Sequence, residues 1–127
     1  MRLLLDTQIF LWFLDNERKI PAPARAAFHD AANAVFVSAA AIGEIAIKAS
    51  IGRLKISAAD VRRLPELVDA SGFDELPVRG RHAAGVLALP WHHRDPFDRL
   101  MIAQALDEGL RVVSVDPILR PYGVPLL

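Results

Sequence analysis

A chain of 127 residues beginning at Met1 is expected to form one domain over residues 1–127, burying roughly two-thirds of the surface its unfolded form exposes. Its 53% hydrophobic and 24% charged residues exclude a disordered chain, and the absence of cysteine excludes disulfides and thiolate metal sites. Formal net charge is zero, so the whole chain carries no electrostatic signal for nucleic acid; 12 of its 15 basic residues are Arg, which permits a local phosphate patch but also follows from a high-GC codon bias.

Arg2 to Asp6 is an apolar run of strand length, and Thr7 is placed to cap an amphipathic helix from Gln8 to Leu14. The apolar run Ile9 to Leu14 is far short of the ~20 residues a membrane helix needs, and Asp6 interrupts any signal-peptide core, so a cytoplasmic protein without membrane association is expected. Pro21 and Pro23 suit a first helical turn leading into Ala24–Ala32. Ala34 to Ser38 reads as a buried strand, with Ser38 capping a helix from Ala39 to about Ser50 that Gly52 ends. Ser57 caps a helix from Ala58 to Ser71, where Leu64, Leu67 and Val68 share one face and Arg62, Arg63 and Glu66 lie off it. Phe73 to Val78 is a weak strand, Arg79 to Ala88 a short helix, and Trp91 to Asp95 an irregular loop. A helix from Pro96 to Glu108, closed by Gly109, precedes a strand from Val112 to Asp116. Strands alternating with helices predict an α/β fold whose parallel sheet is covered on both faces. No repeat or linker divides it.

Four acids interrupt or end apolar segments: Asp6, Glu44, Asp98 and Asp116. An unpaired carboxylate is costly to bury unless it is neutralised or binds a cation. In an open α/β sheet the ligand site lies beyond the carboxyl ends of the strands, where Asp6 and Asp116 are expected to project. Asp98 falls in the first turn of its helix, where the dipole keeps a carboxylate ionised, and Glu44 can reach back to the same edge. Four like charges in one place call for a compensating cation, and an all-oxygen set favours Mg²⁺ or Mn²⁺.

Each acid also has a plain structural role. Asp95 is placed to cap its helix ahead of Pro96, with a ligand role as the alternative. Asp98 can compensate the helix dipole, Glu44 can pair with Lys48 four residues on, Asp116 can open an Asp-Pro turn, and Asp6 can be a junction residue. His92 and His93 read as loop residues rather than metal ligands. The stripe Ile9, Phe10, Trp12 and Phe13 reads as core, or as an interface for a partner or a second copy.

The motifs Leu3-Leu-Leu-Asp-Thr7, Val37-Ser-Ala-Ala-Ala-Ile-Gly-Glu-Ile-Ala-Ile-Lys48, His93-Arg-Asp-Pro-Phe-Asp-Arg-Leu-Met-Ile-Ala-Gln-Ala105 and Val113-Ser-Val-Asp116, closed by Tyr122-Gly-Val, resemble the PIN-domain toxins of VapC type over nearly the full length. The resemblance implies a PIN-like α/β/α sandwich with a central parallel sheet. It further implies a ribonuclease whose acids matching Asp6, Glu44, Asp98 and Asp116 bind Mg²⁺ or Mn²⁺ and cleave RNA. Thr7, Asp95 and Arg99 match accessory positions, Arg99 as a candidate phosphate contact. A VapB-type antitoxin is the implied partner of a homodimeric toxin, in a heterotetramer or larger assembly. Gln8, Ala41 and Gly43 depart from the His, Ser and Trp of many relatives, and a glycine inside a helix at 43 suggests close approach of another segment. Two other readings stand beside this one: a protein-binding module whose acidic pocket docks a partner's Arg, and an aspartyl phosphatase, against which position 8 is Gln rather than a second Asp.

Overall fold

Leu3, Leu4 and Leu5 are fully buried in the computed structural model, which describes residues 1–127. They form the strand β1 (Arg2–Leu5), which pairs in parallel with β2 (Ala34–Ser38) on one side and β4 (Arg111–Val113) on the other. The strand has neighbours on both edges and helices over both faces, so an uninterrupted apolar run is what its position demands. β3 (Asp74–Leu76) adds to β2, giving an all-parallel sheet in the order β3-β2-β1-β4. The helices α1 (Thr7–Asp15) and α2 (Ala22–His29) connect β1 to β2, and α3 (Ala39–Ser50) and α4 (Ala58–Ala70) connect β2 to β3. α5 (Gly80–Gly85), a 3₁₀ turn at Val86–Ala88 and α6 (Pro96–Glu108) return the chain to β4. The result is an α/β/α sandwich with a central parallel sheet. No helix is long and apolar enough to cross a membrane.

Strand order reverses between β1 and β4: the chain steps outward from β1 to β2 to β3, then returns to the far side of β1. Such a reversal opens a crevice at the carboxyl ends of the two strands. Asp6 and Asp116 flank it. The outer edge of β4 is covered by the chain's end, where Val112 donates to Pro125 O and Leu127 donates to Val112 O, so that strand presents no open ladder for another chain.

The apolar stripe of α1 divides as an amphipathic helix should. Ile9 and Phe10 are fully buried, while Trp12 and Phe13 are half-buried against the same core. Phe13 packs at 4.7 Å from Phe73 and 6.1 Å from Phe28, so the aromatic weight of this short helix closes the core beneath α2 and β3.

Several local expectations are corrected. The cap of α1 is Asp6, whose carboxylate accepts the Ile9 N–H at 2.8 Å; Thr7 is the first helical residue and spends its hydroxyl elsewhere. α2 ends at His29, because Asp30 takes the Ala32 N–H in a turn. β4 stops at Val113, where pairing with Leu5 ends, and Ser114 and Val115 separate it from Asp116. A Cβ placed on Gly43 would meet nothing within 4 Å, so no segment approaches closely there.

Candidate active site

Asp6, Glu44, Asp95, Asp98 and Asp116 line one open cleft of about 640 Å³ at the carboxyl edge of the sheet. The chain reaches it from four directions: the end of β1, the middle of α3, the first turn of α6, and the segment after β4. Asp6 is placed by the sheet itself, since its N–H bonds to Val113 O at 3.1 Å and extends the β1–β4 ladder by one residue. Asp116 is exposed and begins a 3₁₀ turn, its carboxylate accepting the Ile118 N–H at 3.0 Å.

Asp95 and Asp98 divide their work. One Asp95 oxygen accepts the N–H groups of Phe97 and Asp98 at 2.9 and 3.1 Å, and Pro96, with no N–H to satisfy, fills the first helical position. The Asp98 carboxylate is thereby released from capping its own helix. Burial pushes it up to about 6, and the negative charges of Asp95 and Glu44 add to the effect. Asp6 is raised too, first by burial and then by the charges of Asp116 and Glu44, against the opposing hydrogen bonds of Ser114 and Ile9. The physical source of that burial is an apolar floor: Leu4, Leu5, Met101, Ile102, Val112 and Leu119 lie beneath these two carboxylates.

Glu44 is only 4% exposed. The Thr7 hydroxyl donates to its Oε1 at 2.6 Å, and the Lys48 ammonium, one turn along α3, donates to its Oε2. Lys48 and Arg53 are the cations on the cleft wall, against five carboxylates. The remaining charge suits a divalent cation, and the donors are oxygens alone, the set that Mg²⁺ or Mn²⁺ takes. The carboxylates stand apart around the cleft. The one trio of His, Asp and Glu whose donor atoms lie within 4.8 Å of one another is His82, Asp107 and Glu108. That trio sits at the other end of α6, roughly 15 Å along the helix axis from Asp98. It is a clamp rather than a metal site: His82 Nδ1 accepts the Arg79 N–H, so Nε2 carries the proton and donates to Glu108 at 2.9 Å. Arg81 joins Asp107 and Glu108 from outside, and together with His82 it holds the Glu108 carboxyl below the ordinary range.

Two arrangements were not legible in the motifs. His93, read as a loop residue, sets its Nε2 3.2 Å from Asp98 Oδ2 and its Nδ1 2.6 Å from the Tyr122 hydroxyl. That hydroxyl already accepts N–H bonds from His93 and Arg99, each at 3.2 Å, so its own proton goes to Nδ1 and Nε2–H faces the carboxylate. Gln104, fully buried within an apolar helix face, accepts the Ser38 hydroxyl at 2.6 Å and donates to Pro77 O at 3.2 Å. It pins the carboxyl end of β2 to α6. No spacing rule connects residues 29 or 66 positions apart.

Arg99 is the clearest correction. The residue is 2% exposed, and its guanidinium donates to the carbonyl oxygens of Pro90, Leu89 and Val86 and to the Tyr122 hydroxyl. Trp91 covers it, with the guanidinium carbon 3.9 Å from the ring centroid. Four hydrogen bonds and the overlying ring hold it there, so Arg99 organises the 86–91 segment and does not reach the cleft.

A family model described as PIN domain matches residues 3–124. No curated protein matches the chain. Among solved structures, the chain is similar to VapBC2 from Rickettsia felis bound to a DNA fragment from the promoter, at 12% identity and a TM-score of 0.73 over 100% of this chain and 98% of that one. It is likewise similar to VapBC-1 from nontypeable Haemophilus influenzae, at 17% identity and 0.71 over 100% and 97%. DNA-bound VapBC from Salmonella typhimurium matches at 18% identity and 0.73, again over 100% and 97%. At such identities the likeness is one of fold.

Proposed function

The chain belongs to the PIN-domain family, and we propose that it is a metal-dependent endoribonuclease, one PIN domain long, acting as the cytoplasmic toxin of a type II toxin–antitoxin pair. The observation that carries this reading is the convergence of Asp6, Glu44, Asp98 and Asp116 on one cleft over an apolar floor, where burial raises two of the carboxylates. Asp6, Asp98 and Asp116 would hold Mg²⁺ or Mn²⁺. When bound, the metal supplies an activated water and neutralises charge on the scissile phosphate. Glu44, held by Thr7 and paired with Lys48, would orient that water or serve as a further ligand. Asp95 keeps the start of α6 in place, and His93 holds Asp98 in one orientation. No protein nucleophile is needed. An RNA strand with its bases unstacked suits an open cleft of this kind.

The partner we propose is a VapB-type antitoxin, on a homodimeric toxin that forms a heterotetramer or larger; the solved neighbours are VapBC complexes, two of them with DNA. A second reading has one observation in its favour: Lys48 already lies on Glu44, so the cleft accepts an organic cation and could dock a partner's Arg. Incubating the purified protein with RNA, with and without Mn²⁺, separates the two. Metal-dependent cleavage that Asp6→Asn abolishes supports the nuclease; intact RNA under all conditions supports the docking module.

A further inference from the structure

The loop from Trp91 to Arg94 carries an aromatic ring and two basic side chains that the mechanism above does not use. Trp91 is 75% exposed, although one face of its indole is covered by the Arg99 guanidinium. A solvated tryptophan would ordinarily sample several rotamers, and the buried cation beneath it favours one. Arg99 is in turn fixed by three backbone carbonyls of the preceding segment, so the ring is presented on a rigid base with its other face open. Arg94 is exposed and makes no ion pair or side-chain hydrogen bond. Trp91, His92, His93 and Arg94 border an open recess of about 710 Å³. His93, within about 7 Å of backbone from Trp91, is bonded directly to Asp98 of the carboxylate cleft.

We propose that this loop is a nucleotide-binding subsite in which the open face of Trp91 stacks on an unpaired base of the RNA and Arg94 contacts a neighbouring phosphate. The inference rests on the RNA-cleaving reading and adds to it where the strand runs beyond the scissile bond. An indole accepts any base, because every base has a π face, so the subsite contributes affinity and register rather than sequence choice. Arg99 supplies the rigid seat, a role that needs it buried. The loop also explains how a chain of zero net charge, with an acidic cleft, gains hold of a polyanion: it places an unpaired cation and a stacking surface beside the carboxylates.

Anisotropy of a fluorescein-labelled 12-nucleotide mixed-sequence RNA, in EDTA so that no cleavage occurs, tests the assignment on the full chain. Trp91→Ala is expected to weaken binding by roughly 5- to 150-fold, the range for losing one stacked base. Trp91→Phe should retain most of the affinity. Trp91→Leu, which keeps cover over Arg99 without an aromatic face, should bind as poorly as Trp91→Ala, and it decides the matter if the Ala variant fails to fold. An abasic strand of the same length should bind parent and Trp91→Leu alike, and Arg94→Ala should lower the salt slope by about 0.7 for either strand. With Mn²⁺, KM should rise in Trp91→Leu while kcat stays. Unchanged RNA affinity in Trp91→Leu overturns the subsite but leaves the nuclease reading intact; so does an equal loss on the abasic strand, or a change in sedimentation mass in its place. A parent protein that neither binds nor cleaves RNA overturns both.

Discussion

The Thr7 hydroxyl donates to Glu44 Oε1 at 2.6 Å, joining the first turn of α1 to the middle of α3. Both groups are buried, and the bond fixes which oxygen of Glu44 meets Thr7 and which meets Lys48.

Thr7→Val keeps the shape of the side chain and removes the donor. One oxygen of a buried carboxylate is then left without its partner, which costs about 1–3 kcal/mol. Metal affinity should fall by about 10- to 100-fold, the usual effect of losing a group that orients a ligand. Thr7→Ser should restore both. Thermal unfolding and Mn²⁺ titration of the three proteins check this, and a Thr7→Val protein with parental metal affinity would remove Glu44 from the metal's surroundings.

Asp6 both caps α1 and faces the cleft, so its replacement must separate the two roles. Asparagine caps as well as aspartate does, which makes Asp6→Asn a change of charge with the helix start preserved. At about 100 times its dissociation constant, Mn²⁺ should stabilise the parent by about 2.7 kcal/mol. Asp6→Asn should show almost no metal-induced rise in Tm at the same concentration. An equal rise would place the ion elsewhere.

The Asp98 carboxyl lies at about 6 in the folded chain, above its ordinary 3.8. Between these values the folded state holds more protons than the unfolded one, so stability without metal should fall as pH rises from about 4 to 6. Asp6, raised as well, works in the same direction. Asp98→Asn should flatten the profile, measured by denaturant unfolding at several pH values. A metal held in this cleft would need the carboxylates ionised, so stabilisation by Mn²⁺ should grow across the same window.

Arg99→Lys is expected to destabilise the fold despite conserving charge. An ammonium cannot reach three carbonyls and a phenol in the planar arrangement the guanidinium satisfies, and each hydrogen bond to a charged group contributes about 1.5–3 kcal/mol. Urea unfolding should show a loss of more than about 2 kcal/mol. The salt dependence of RNA binding should stay as in the parent, since Arg99 meets no phosphate.

Gly43→Ala should stabilise by up to about 1 kcal/mol, because the helix gains an alanine and the new methyl meets nothing. A loss of stability would mean that a segment not seen against α3 approaches there in solution.

Local chemistry was legible from the residues alone. The apolar runs at Leu3–Leu5 and Val35–Val37 identified strands buried on both faces, Ser38, Ser57 and Asp95 identified helix starts, and the alternation of elements implied a parallel sheet with acids at its carboxyl edge. These follow from periodicity, capping and the cost of a buried charge, all of which act within a few residues. What tertiary structure decided was the use of each side chain that crosses the fold. Arg99 is adjacent to Asp98 yet turns away from the cleft, because the carbonyls of Val86, Leu89 and Pro90 and the Tyr122 hydroxyl take four of its N–H groups. His93 belongs to the site because Tyr122, 29 residues later, donates to its ring. Hydrogen-bond partners at such separations are chosen by packing, and only the folded chain determines them.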